Sequence, residues 1–277
     1  MLLLGGIVLG AATLLACLKF GARRAGAAAV LLAGGLGAQL APALAFAPLA
    51  GLLAGWQVER HKSYGQIVAA ASFPGMVQGL LLLVAAQVPG TEREQLVGQV
   101  AGQLEEMGLE MEGGPYSVKD VVEVGLRLYP ATEFLFILFT VVLIYRLSRA
   151  GAGWLGLSLP PPLPFRLWRP WDSLIWVLVA GLALALAGSG LVAELGMNLV
   201  AVMGVLYALQ GLALVRFFCW RLGISRIPEA LLYAALVLTA GLSALALAVF
   251  GLLDTWFDWR RLEAPPEETA SEQDRAS

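Results

Sequence analysis

The chain has 277 residues, of which 59% are hydrophobic and only 14% charged, and its mean hydropathy is +0.78. Soluble domains carry about a quarter charged residues, so this composition excludes an ordinary soluble domain and points to a polytopic protein of the lipid bilayer. The formal net charge of −2, with basic residues scattered among short loops, offers no nucleic-acid partner, and two cysteines form neither a disulfide framework nor a metal site.

In chain order, eight apolar stretches are expected to span: 2–19, 25–41, 43–58, 65–87, 130–147, 172–190, 196–219 and 229–253. The first lacks a basic segment ahead of it, and Lys19, Arg23 and Arg24 follow instead, so it reads as a retained helix rather than a cleaved signal peptide. Pro42 and Pro48 interrupt the second and third; a single kinked helix plus a re-entrant piece fits there equally. Small residues from Ala22 through Gly26, Ala29 and Ala33 recur at steps of three and four. Such a face lets helices approach closely, either inside the bundle or as a dock for a second membrane subunit.

Between the fourth and fifth spans lies a hydrophilic insertion, 89–129. Thr91-Glu-Arg-Glu94 matches a capping box, and Leu96, Val100, Leu104, Met107 and Met111 then form one apolar stripe. Gly113-Gly-Pro115 ends that helix, and Ser117 with Asp120 starts another. The polar face holds Glu92, Glu94, Glu105, Glu106 and Glu110, so packing against the mouth of the bundle is expected rather than binding to anionic lipid. Further on, Pro160-Pro-Pro-Leu-Pro164 predicts a stiff extended connector, with Trp168 and Trp171 anchoring it at the interface.

The last apolar run carries no charge over 230–253 and reads as one continuous helix, ending in Asp254-Thr-Trp256-Phe-Asp258-Trp-Arg260-Arg261. Trp256 and Trp259 fit the headgroup zone, and Asp258 and Arg261, sharing a helix face, are expected to pair. From residue 263 the chain is mostly polar, with Pro265-Pro266, and is expected to be disordered. The expectation is thus a single membrane-embedded domain over 1–262 followed by a tail, 263–277. Of the 18 Lys and Arg, 12 fall in the loops after the first, third, fifth and seventh spans. By the charge rule both termini then face outside, in a bacterial plasma (inner) membrane, although Arg260 and Arg261 argue the other way.

An ionisable residue at membrane depth is a functional candidate, because burying it unpaired costs several kcal/mol. Glu133 lies near the outer end of the fifth span, and Asn198 near the start of the seventh. Gln210 is nearest a span centre, and Asp254 closes the eighth without a partner evident in sequence. These four either line a cavity for a small polar ligand or make interhelical hydrogen bonds of about 0.6 kcal/mol each. Catalytic patterns are absent, so no enzyme, cofactor or metal is expected; Ala187-Gly-Ser-Gly190 falls short of the intramembrane serine-protease motif.

The residues Asn198-Leu-Val, Gln210-Gly211-Leu-Ala, Arg221-Leu-Gly-Ile and Gly251-Leu-Leu-Asp254-x-Trp256-Phe257-Asp258-x-Arg260, with Pro130 and Trp171, resemble the YybS-like family of bacterial multi-span membrane proteins, a domain of unknown function. That family is distantly similar to the substrate-binding subunits of energy-coupling-factor transporters. The resemblance implies an all-α polytopic transmembrane bundle with an amphipathic insertion and brings no catalytic residues. Two functions follow as expectations: a non-enzymatic ligand-binding or transport subunit, or a structural or assembly scaffold of the cell envelope.

Overall fold

In lipid, a backbone must satisfy its own N–H and C=O groups, which favours helices. The computed structural model describes residues 2–39, 46–85, 90–108 and 117–262, and among them only helices and connecting turns occur. The chain divides into two compact units, Met1–Pro162 and Leu163–Ser277.

The first unit contains α1 (Leu2–Phe20), α2 (Ala22–Gln39), α3 (Phe46–Glu59), α4 (Tyr64–Ala85), α5 (Gly90–Glu106), α6 (Val118–Arg127) and α7 (Tyr129–Trp154). Its core joins Leu14 of α1, Ala50 and Ala54 of α3, Ile67 of α4 and Ile137, Val141 and Tyr145 of α7. The helices meet through missing side chains: a Cβ on Gly51 would stand 2.2 Å from the Gly10 carbonyl oxygen, and one on Gly55 2.7 Å from Cys17 Sγ. Between helices in lipid, such close van der Waals contact does the work that the hydrophobic effect does in water. Tyr145 stacks edge-on against Tyr64 at 5.0 Å and donates its hydroxyl to Pro160 O at 2.7 Å, which ties the proline connector to α7.

Pro42 falls outside the described residues, but α2 and α3 on either side of it are separate helices. Pro48 sits in the first turn of α3, where its missing N–H breaks no bond. In α2, Ala25 and Ala29 are buried and Gly26 faces Leu52, so this part of the small-residue face packs inside the unit; the side chain of Ala33 is outside the described residues.

In the insertion, Ser117 and Asp120 form the expected reciprocal cap of α6. The apolar stripe of α5 is rotated from the expected one. Val97, Val100, Ala101 and Leu104 pack with Val118 and Val122 of α6, whereas Leu96 and Met107 are exposed. The two helices of the insertion therefore bury a small core against each other.

The second unit begins with a 3-10 turn, Phe165–Leu167, followed by α8 (Leu174–Ala187), α9 (Leu191–Arg221), α10 (Arg226–Leu238) and α11 (Ala240–Phe257). The expected continuous eighth span is thus two helices meeting at Thr239. Breaking the ladder there releases the Leu236 carbonyl, which takes the Ser243 hydroxyl at 2.6 Å, while Thr239 donates both its N–H and its hydroxyl to Ala235 O, at 3.0 and 2.8 Å. By length and composition, three helices among the described residues can cross a membrane: α7, α9 and α11. Shorter apolar helices cover Gly5–Phe20 and Leu174–Ala187, so the full count of eight spans is not recovered. At 31 residues α9 rises about 46 Å, more than the roughly 30 Å of a hydrocarbon core.

Candidate functional site: a buried ion pair where α9 crosses α11

Tyr207, Gln210 and Gly211 fall on one face of α9, as do Leu247, Gly251 and Asp254 on α11, each set following the three- and four-residue spacing of a helix. The two faces touch backbone to backbone. A Cβ on Gly211 would lie 2.0 Å from Leu247 O, and one on Gly251 2.0 Å from Tyr207 O. With the axes so near, Gln210 Nε2 reaches Asp254 Oδ2 at 3.1 Å, and both side chains are fully buried.

The charge on Asp254 is met by Arg260, only six residues on. Helix α11 ends at Phe257, and Asp258 adopts a left-handed conformation (φ 38, ψ 53) while its N–H still bonds Asp254 O. Arg261 is also left-handed, at φ 52. These turns fold the chain back, so that Arg260 Nη2 and Nε donate to Asp254 Oδ2 at 2.6 and 3.1 Å. Its Nη1 donates to the carbonyls of Arg166 and Trp168 at 3.0 and 2.9 Å. The planar fork of a guanidinium suits this divided task in a way a lysine could not. Beside it Arg169 donates to Asp172 Oδ1 at 2.6 Å and to Thr255 O at 3.0 Å, and lies 3.6 Å from Asp258 Oδ1. Two arginines thereby bind the segment after the proline connector to the end of α11.

The expected helix face shared by Asp258 and Arg261 does not exist, because the helix stops before both. Asp258 Oδ1 instead accepts from the Leu262 N–H at 3.0 Å and faces Arg169. Asp254, without an evident partner in sequence, is in a fully buried ion pair with Arg260. Trp256 is exposed as an interfacial anchor would be, while Trp259 stacks on Phe257 at 5.7 Å.

Of the four residues expected to line a cavity, the fold brings together Gln210 and Asp254. Asn198 is twelve residues earlier on α9, about 18 Å along its axis, and donates to Glu194 O of its own helix at 2.8 Å. Glu133 is buried in the first unit, where its Oε1 has no hydrogen-bond partner among the described residues. Among the described residues four further oxygens are buried and without a hydrogen-bond partner at or beside the crossing: Asp254 Oδ1, Gln210 Oε1, Tyr207 OH and Thr255 Oγ1. Oδ2 of Asp254 takes three donors and Oδ1 takes none among the described residues.

Sequence reasoning missed a second cluster. Glu229 in the first turn of α10 accepts from Arg216 Nη1 of α9 and from Tyr233 OH, the latter at 3.0 Å. Ser225 before the helix and Glu229 four residues later mark a helix start in the sequence, but nothing local points back thirteen residues to Arg216. Among the described residues no group of three His, Cys, Asp or Glu side chains is placed to hold a metal.

No curated protein and no solved structure matches this chain. A family model described as "Predicted membrane protein (DUF2232)" matches residues 2–255. With the match running from the first helix through the Gly251–Asp254 face, the chain belongs to this family of predicted membrane proteins.

Proposed function

We propose that the chain is a non-enzymatic membrane subunit that binds a small polar ligand, in the manner of the substrate-binding component of an energy-coupling-factor transporter. The observation that carries this reading is the set of unpartnered oxygens around the Asp254–Arg260 pair. A buried acceptor left unmet costs about 1–3 kcal/mol, and Gln210 Oε1 and Asp254 Oδ1 are two such acceptors in one fully buried contact. A ligand carrying N–H or O–H donors would satisfy them, with Tyr207 and Thr255 hydroxyls able to give or take a further bond. The distribution of Lys and Arg supports a bacterial inner membrane with both termini outside. Of the small-residue face of α2, Ala22 stays partly exposed and would border a dock for a partner subunit.

Native mass spectrometry of the purified full chain tests this. The expected result is a bound small molecule that Gln210→Leu loses while helical content is kept. A chain that carries no small molecule in either form would sink the reading. A second reading, an envelope scaffold, is favoured by the close backbone contact at Gly211 and Gly251, which leaves no room at that level. Recovery of cell-wall assembly proteins with the chain, and of no ligand, would favour it.

A further inference from the structure

Beyond Gln210, toward the C-terminal end of α9, the second unit has a different character. An open groove of about 560 Å³ runs between α9 and α10, bordered by Phe165, Leu212, Arg216, Arg226, Ala230 and Tyr233. One wall is apolar, from Leu212, Ala230 and Phe165. The rim is basic. Glu229, the single carboxylate there among the described residues, is already neutralised by Arg216 and hydrogen-bonded by Tyr233. Arg221 and Arg226 are exposed and have no ion-pair partner among the described residues. Arg166 lies over the ring of Trp220 at 4.6 Å, and Trp220 is itself 57% exposed. Arg216 and Arg226 border the groove, and Arg221 ends α9 just as Arg226 begins α10, so a turn of four residues separates two unpaired arginines where the apolar run of α9 ends.

We propose that this groove holds one anionic phospholipid, its phosphate on Arg221 and Arg226 and an acyl chain along Leu212, Ala230 and Phe165. Charge complementarity argues for an anionic headgroup, since a zwitterionic one returns a positive charge to a rim that already has an excess. The adjoining apolar wall argues for a lipid over a free anion. A bare phosphate would use the rim and leave the wall exposed, whereas a phospholipid covers both. Position fits as well: Arg216 is five residues from the end of α9, about 7 Å of rise, which puts the rim at headgroup depth beside an interfacial tryptophan. On α10, Ile227 and Leu231 are four residues apart and 74% and 67% exposed, which extends the apolar surface beside the groove.

The test is a native mass spectrometry titration of the full chain in detergent with phosphatidylglycerol and, separately, phosphatidylcholine of the same acyl chains. Phosphatidylglycerol is expected to bind in preference. The double variant Arg221→Gln/Arg226→Gln should weaken its binding about thirtyfold, from two surface cations acting on an anionic headgroup. Arg226→Lys keeps the charge and should keep most of the binding, and Arg23→Gln/Arg24→Gln, which removes the same charge from α2, should leave it unchanged. Unchanged melting of the double variant establishes that it folds. Equal binding of the two lipids, or a folded double variant that still prefers phosphatidylglycerol, would overturn the proposal. So would glycerol phosphate, which has no acyl chain, competing as well as the lipid, since the groove would then be a site for free anions.

Discussion

Two helix crossings in this chain share one solution for contact and differ in what surrounds it. Where α1 meets α3, Gly51 lies against the Gly10 carbonyl; where α9 meets α11, Gly251 lies against that of Tyr207, and an added Cβ would fall 2.2 and 2.0 Å from those oxygens. Around the first, the residues are Leu14, Ala47, Ala50 and Ala54, and the Thr13 hydroxyl returns to Leu9 O of its own helix. Around the second stand Gln210, Asp254 and Arg260, whose bonds reach as far as Arg166, 94 residues away in sequence. Close approach and electrostatic tying are therefore separate devices. Glycine alone suffices for the former, and the latter adds a long-range connection that apolar packing does not specify.

The largest expected effect comes from removing the charge that distinguishes the second crossing. Asp254→Leu leaves Arg260 buried and unpaired, for a loss of about 3–5 kcal/mol. Thermal unfolding in detergent should show it, and Asp254→Leu/Arg260→Leu should recover part of the loss. A single variant as stable as the parent would mean that the pair contributes nothing to the crossing. Next, Gly251→Ala and Gly51→Ala test what the crossings share. Each should destabilise by about 1–3 kcal/mol, and by similar amounts, because in both the new methyl meets backbone rather than a yielding side chain. Gly153→Ala near the end of α7, where nothing lies within 4 Å, should instead be neutral or stabilising by about 0.5–1 kcal/mol. A clear difference between the two crossing variants would show that one contact is looser.

Smaller again is Ser243→Ala, which removes the hydroxyl from the Leu236 carbonyl at the α10–α11 break. A loss of about 0.6 kcal/mol is expected, with faster amide exchange around Thr239 as the specific sign. The smallest effect lies in the insertion, where neither glycine crossing nor buried charge operates. Backbone and side-chain hydrogen bonds from Ser117 hold the Asp120 carboxyl below its ordinary value of 3.8. The depressed value means that the cap contributes above about pH 3.8 and is lost as acid titrates the carboxylate through its folded value. Exchange protection of the first turn of α6 should fall over that acid range, and in Ser117→Ala this pH dependence should diminish.

Most helices were legible because apolar runs and charged breaks are local signals. The expected spans 2–19 and 65–87 lie close to α1 and α4, and the Ser117–Asp120 cap is as expected. The break at Thr239 was not legible: no proline or charge marks it, and Ser243 satisfies the freed Leu236 carbonyl inside an unbroken apolar run. The rotation of the α5 stripe escaped for a related reason, since Leu96 and Val97 are equally apolar and only the partner helix chooses between them. At the site, Gln210 and Asp254 were identifiable as polar residues at depth. Their meeting depends on Gly211 and Gly251, and the partner of Asp254 depends on two left-handed residues. Helical periodicity, which assigned Asp258 to Arg261, has no meaning beyond the end of α11.

The hook that returns Arg260 to Asp254 also orders events in time. Asp254 leaves the ribosome before its countercharge does, and the carbonyls of Arg166 and Trp168, which the same guanidinium binds, are made far earlier. Until residue 260 emerges, Asp254 stands without its cation, and the two ends of the second unit are joined through Arg169 to Thr255 and Asp258 but not yet through Arg260. The closing of this unit is therefore a late step of synthesis. A released chain truncated after residue 259 should expose the Gly251 face to proteolysis, and one truncated after residue 260 should conceal it.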